Sequence, residues 1–179
     1  MSTPRKTATP VEIVILHAPW RQALKEAPKL ARQAVRAALK GAGVKDETRG
    51  IAIALGDDQL LRELNRRYRR KDKPTNVLSF EDGTPERLGD IALSLQTLKG
   101  EAKEQGKTLK AHFQHLVAHG TLHLLGFDHE KSAPAERMEG LERRILAGLG
   151  VADPYAQPVR KTAAKQAKKP IKPKHKSDS

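Results

Sequence analysis

The sequence predicts an α+β domain: a small mixed sheet of about four strands packed with about five helices, with a three-histidine metal site at the end of a helix. Three observations lead there. Short apolar, β-branched runs alternate with 3.6-periodic segments early in the chain, whereas the later part is helical throughout. A chain of 179 residues that is 37% hydrophobic suffices for one packed core. Five of the seven histidines crowd between His112 and His129.

Val11 to Leu16 is β-branched and apolar and reads as a strand. Trp20 to Leu39 places Leu24, Ala27, Leu30, Ala31, Ala34, Val35 and Ala38 at helical spacing, with Gly41 as a C-cap and Pro28 as a kink or break. Gly50 to Leu55 reads as a buried strand, and Asp57 or Asp58 caps a helix carrying Leu60, Leu61, Leu64 and Tyr68. Thr75 to Phe80 and Leu88 to Leu95 are strand-like on either side of a Gly83 and Pro85 loop. Gln96 to Gln105 is helical, Thr108 caps a helix from Leu109 to Leu125 that Gly126 ends, and Ala135 to Leu149 is a last amphipathic helix. The expected organisation is a disordered N-terminus over 1–10, one domain over 11–155, and a basic disordered tail over 156–179.

The chain holds no cysteine, which removes disulfides, thiolate metal sites and cysteine nucleophiles. No apolar run reaches the ~18 to 20 residues that span a bilayer, so a soluble, cytoplasmic protein with no membrane partner is expected. The formal net charge is +13. Two places carry the excess. Residues 160–179 hold eight Lys plus Arg against one Asp, and Arg62 to Lys73 holds seven against two. Basic runs attract polyanions by releasing condensed counterions. Arg66, Arg67, Arg70, Lys71 and Lys73 are therefore candidates to track a nucleic-acid backbone.

His119 and His123 lie four apart on a helix and so stack on one face. His115 shares that face, but His115 and His123 are separated by about 12 Å along the axis at 1.5 Å per residue. A zinc ion bonded at about 2.0 to 2.1 Å cannot join all three from one straight helix. His112 and His115 are accordingly read as core or surface histidines. Gly126 offers the route for a third ligand: it can turn the chain so that His129 folds back over the helix end. The stretch H-G-T-L-H-L-L-G-F-D-H has the His-x3-His-x2-Gly-x2-His spacing of metzincin zinc sites. Three neutral imidazoles leave an open position, which marks a catalytic rather than a structural site, although nickel or copper would also accept them. The glutamate base of H-E-x-x-H is replaced here by Gly120, so an ordinary peptidase mechanism lacks its proton acceptor. Asp128 and Glu130 are the carboxylates nearest in sequence that could stand in, and Asp128 reads equally as a turn residue or as an orienter of a ligand imidazole.

Residues 119–129 resemble the signature of the YbeY endoribonucleases, the rRNA maturation factors of bacteria. So do Y-R-R-K-D-K-P-T-N-V-L-S-F at 68–80, L-G-D-I-A-L-S at 88–94 and the ending Asp153-Pro154-Tyr155. The resemblance implies a single-strand-specific, metal-dependent endoribonuclease, a hydrolase acting on ester bonds. It implies a role in maturing the 3′ end of the small-subunit rRNA and in ribosome quality control, with the small ribosomal subunit as partner. It also implies one Zn2+ per chain on His119, His123 and His129, and Arg69 as the essential arginine. Three departures stand out: Glu81 follows Phe80 where the family often has proline, the loop before Leu88 is short, and the tail beyond about residue 160 has no counterpart. Two rival readings are a zinc metallopeptidase lacking the usual glutamate base and a non-catalytic ribosome-assembly module with structural zinc.

Overall fold

The computed structural model describes residues 9–45, 48–127 and 132–156. The expectations for the tail and for the first eight residues lie outside that range. Four strands are present, β1 (Val11–Ile15), β2 (Gly50–Gly56), β3 (Val77–Glu81) and β4 (Arg87–Ser94). They form one sheet in the order β1-β2-β4-β3. β1, β2 and β4 are mutually parallel, and β3 closes one edge antiparallel to β4, so the sheet is mixed as expected.

Six helices are described, one more than the sequence predicts. They are α1 (Trp20–Ala23), α2 (Ala27–Gly41), α3 (Asp58–Arg69), α4 (Leu95–Glu104), α5 (Leu109–Leu124) and α6 (Ser132–Gly148). The extra one arises because the single expected helix over 20–39 breaks at Leu24. Pro28 sits in the first turn of α2, where its missing N–H costs nothing, and the chain before it leaves the helical path. The split lets Trp20 turn inward. Its indole Nε1 donates to Gly56 O at 2.8 Å, and its ring lies 5.5 Å from Phe113.

The expected caps act where the sequence puts them. Asp57 Oδ1 accepts from Leu60 N at 2.9 Å, and Thr108 Oγ1 accepts from Ala111 N at 3.1 Å. Strand β4 ends one residue early because Ser94 caps α4 and takes Leu95 into the helix. At the end of α3 the chain turns with Arg70 in the left-handed conformation, φ 56°, which no glycine in the sequence signals. Gly126 does mark a turn of that kind. With φ 86° it closes α5 in a Schellman motif, Gly126 N–H bonding His123 O and Phe127 N–H bonding Leu122 O.

One face of the sheet is covered and the other partly open. Ile51, Ile53, Leu55, Ile91 and Leu93 join Leu30, Val35, Leu39, Phe113 and Val117 in the main core beneath α2 and α5. Alternate residues point the other way, where Leu61 of α3 packs on Leu78 and Ala92. Helix α6 docks through Met138, Leu141 and Ile145 onto Ala38, Ala118 and Leu122. That docking brings a buried carboxylate against the histidines of α5. No helix among the described residues is long and apolar enough to cross a membrane.

Candidate metal centre

Helix α5 is buried over most of its length, with His112, His115, His119 and His123 on successive turns. These histidines do not behave alike. His112 is 3% exposed, and its Nε2 lies 2.7 Å from Glu101 Oε2. Burial pushes its imidazole down toward the neutral form, against the pull of Glu101. His112 is thus the core histidine that its spacing suggests.

His119 and His123 meet as the four-residue spacing requires. Their rings are 4.6 Å apart between centroids, and their Nε2 atoms are 3.0 Å apart. Behind them, Glu142 of α6 is fully buried and its Oε1 lies 2.5 Å from His119 Nδ1. Burial alone would push the Glu142 carboxyl up. The imidazoles of His115 and His119 and the hydroxyl of Tyr155 outweigh it and hold the carboxyl well below the usual carboxylate range. An ionised carboxylate only accepts, so His119 Nδ1 donates to it, and the ring turns its Nε2 toward His123. Tyr155 closes the far side by donating its hydroxyl to Glu142 Oε2. Burial first, and then that bond, push the phenol well above its ordinary value, so it stays a donor.

These residues fit a metal ion. Two nitrogens that share a tetrahedral ion at about 2.05 Å sit about 3.3 Å apart, close to the separation of the two Nε2 atoms. His115, His119 and Glu142 also offer ligand atoms within 4.8 Å of one another. His115, which its spacing assigns to packing or surface, belongs to this group. Both its ring nitrogens are buried without a hydrogen-bond partner, and its Nε2 lies 3.7 Å from Glu142 Oε1. His129, with Asp128 and Glu130, lies outside the described residues.

Sequence reasoning missed Glu142 and treated Tyr155 only as part of a motif. A signal for Glu142 was present. It lies one turn after Met138 and between Leu141 and Ile145, a lone carboxylate on the apolar face of an amphipathic helix.

The missing glutamate at position 120 has a packing cause. A Cβ on Gly120 would lie 3.0 Å from Ser79 Oγ and 3.2 Å from two Ile91 carbons. Position 120 therefore faces the sheet, and any side chain there would start against Ser79 and Ile91 and need both to give by a few tenths of an ångström. The base that the peptidase reading needs would begin on the sheet side of α5. Ser79 donates to Gly120 O, Asn76 Nδ2 donates to Glu101, and Asp90 is held by Arg87.

Helix α3, which carries Arg66, Arg67 and Arg69, packs on the face of the sheet opposite α5. Arg66, Arg67, Arg69, Arg70, Lys71 and Lys73 are all exposed, and none makes a salt bridge among the described residues. The backbone that carries them is pinned. Arg62 grips Asp72 with two bonds of 2.8 and 3.0 Å, and Asn65 Nδ2 donates to Lys73 O at 2.9 Å. The end of α3 and the turn after it are thus fixed, while these side chains stay exposed to solvent.

Comparison with known proteins agrees with this architecture. A family model described as Endoribonuclease YbeY matches residues 18–150. Two curated relatives carry that same description. The one from Azorhizobium caulinodans is 47% identical over 155 residues, covering 83% of this chain and 97% of its own. The one from Nitrobacter winogradskyi is 46% identical over 173 residues, covering 88% of each. A solution structure of a Thermotoga maritima protein matches with a TM-score of 0.50 at 20% identity over 82% of this chain and 99% of its own, a likeness of fold alone. The extent of the family match and the identity to these relatives place this chain in the YbeY endoribonuclease family.

Proposed function

We propose that this protein is a zinc-dependent endoribonuclease that cuts single-stranded ribosomal RNA, acting at the 3′ end of the small-subunit RNA and in ribosome quality control. One observation carries the reading: in a chain of this family, His119 and His123 aim their Nε2 atoms at one point while Glu142 grips His119 from behind. In this reading His119, His123 and His129 hold one ion per chain, and Glu142 orients rather than ligates. When bound, the ion supplies a Lewis acid for the scissile phosphate and acidifies water at neutral pH.

The chain's own residues do the rest. Glu142, locked by Tyr155, fixes the tautomer and direction of His119. Arg69 presents a planar fork of donors to phosphate oxygens and stabilises charge that builds during cleavage. Arg66, Arg67, Arg70, Lys71 and Lys73 hold the flanking backbone of the strand. The small ribosomal subunit is the partner that offers such a strand, and the cytoplasm is where the two meet.

Two variants test this reading. Arg69→Ala is expected to slow cleavage of a single-stranded RNA by roughly 100-fold or more. Its metal content and Tm should match the parent, because Arg69 is exposed and makes no salt bridge among the described residues. Parent-like cleavage would remove Arg69 from the reaction and favour a non-catalytic assembly module. Glu142→Gln keeps the shape but loses the paired acceptor, and zinc affinity by chelator competition should fall roughly 10- to 100-fold. Unchanged affinity would mean that Glu142 does not position a ligand.

A further inference from the structure

The open part of the sheet's second face carries a groove that the metal centre does not use. It has a volume of about 350 Å³ and is lined by Val14, Ala52, Ala54, Leu64, Tyr68 and Phe80 among others. Among the described residues the exposed large apolar side chains are Val14, Leu16 and Tyr68. Val14 and Tyr68 line the groove, and strand alternation carries Leu16 to the same side as Val14. The clustering has a cause in the packing. Helix α3 covers the β3 and β4 side of this face, and the alanines of β2 are too small to fill what remains.

The wall of this groove is aromatic and cationic. The rings of Tyr68 and Phe80 lie 5.1 Å apart at 59°, so Phe80 props Tyr68 while more than half of Tyr68 stays exposed. The Arg67 guanidinium sits 5.6 Å from the Tyr68 centroid. Arg66, Arg69 and Arg70 lie within two residues of Tyr68 in the chain, all exposed and outside any salt bridge among the described residues. Asp90, the carboxylate on this wall, is occupied by Arg87 and does not offset them.

The groove also opens toward the correct end of the molecule. Phe80 stacks on Tyr68 on one face of the sheet, while its carbonyl abuts Gly89, against which Leu124 packs from the other face. Leu124 is the residue after His123. The C-terminal ends of α3 and α5 thus lie at one end of the sheet, on opposite sides of the edge formed by β3.

We propose that Tyr68, backed by Phe80 and flanked by the α3 arginines, is a stacking platform that takes an unpaired nucleobase of the RNA substrate into this groove, with the strand passing around the β3 edge to the metal centre. The proposal rests on the RNA-cleaving reading above and adds how the substrate is chosen. Only an unpaired strand can turn a base face into a groove walled by one aromatic ring. A duplex offers phosphates to the arginines but no ring to Tyr68. The groove therefore supplies a selection for single strands that the metal and Arg69 do not provide.

The test uses the full-length, metal-loaded protein and two dye-labelled, cleavage-resistant 2′-O-methyl oligoribonucleotides of equal length. One carries bases throughout and the other has abasic sugars at its centre. The parent is expected to bind the base-bearing strand more tightly. Tyr68→Ala should weaken that strand about tenfold, a loss typical of one stacking partner, and leave the abasic strand unchanged. Tyr68→Phe keeps the ring and should bind like the parent. In cleavage assays Tyr68→Ala should raise KM and spare kcat.

A parent that does not distinguish the two strands overturns the proposal. So does a Tyr68→Ala protein that binds the base-bearing strand normally or loses both strands equally. RNA cleavage with such a result leaves the nuclease reading standing and removes the groove. Base-dependent binding by a parent that cuts no RNA keeps the groove and removes the nuclease reading.

Discussion

His123→Ala will purify without stoichiometric zinc and will lose RNA cleavage by roughly 100-fold or more, since outer partners of a metal site alone cost 10- to 100-fold. Elemental analysis and a cleavage assay on the same preparation check it. The position is chosen because two ligand sets are chemically open. One uses His119, His123 and His129. The other is the cluster of His115, His119 and Glu142. His119 belongs to both, so its removal separates nothing. Its loss would also leave the fully buried Glu142 with Tyr155 and the more distant His115 as partners, at a cost of about 1–3 kcal/mol. His123 and His115 do separate the sets. If the imidazole pair holds the ion, His123→Ala loses it and His115→Ala keeps it. Zinc retained by His123→Ala and lost by His115→Ala would move the site to the deeper cluster and turn Glu142 from an orienting group into a ligand.

The sequence made the pair legible because helix geometry is local. Four residues apart means one face and one turn, whatever the fold. The same locality explains why Asp57, Thr108 and Gly126 were readable as helix ends: each bonds or turns within a few residues of itself. Glu142 was not readable, since its role depends on how α6 docks through Met138, Leu141 and Ile145, a contact between segments distant in the chain. The closeness of His115 to Glu142 was illegible for a related reason. Helix rise argues against His115 sharing an ion with both His119 and His123, but rise along α5 says nothing of a carboxylate arriving from another helix. The groove beside Tyr68 was half legible. An aromatic residue inside a basic run was visible, whereas its prop Phe80 and the open floor of alanines emerge only when β2, β3 and β4 lie side by side. Arg70 in the left-handed region left no trace in residue type, since the turn is enforced by Asn65 O accepting from both Arg70 and Lys71.

Substitution of Gly89 by alanine is expected to be the most damaging single methyl in the described part of the chain. β4 carries an irregularity at its start: Gly50 pairs with Arg87 and Ile51 with Gly89, so Leu88 is the extra residue, and it is buried in the core under α2 and α5. Gly89 accommodates this with φ 145°, a region closed to residues with a side chain. An added Cβ would lie 2.0 Å from Phe80 O and 2.9 Å from a Leu124 methyl. The first contact is with backbone of the paired strand and cannot be relieved by a rotamer change. The expected loss is about 3–5 kcal/mol, the range of severe backbone and packing defects. For a domain of this size that lowers Tm by roughly 10 °C. Gly100→Ala in α4 is the control: no neighbour lies within 4 Å, and alanine favours the helix, so stability should rise by about 0.5–1 kcal/mol. Phe80 carries the ring behind Tyr68, and Leu124 follows His123. Displacing both should therefore weaken oligonucleotide binding and zinc retention together in whatever Gly89→Ala protein remains folded. A Tm within a few degrees of the parent would mean that β3 can shift away from β4 at little cost, and that this end of the sheet does not hold the groove and the metal centre in fixed relation.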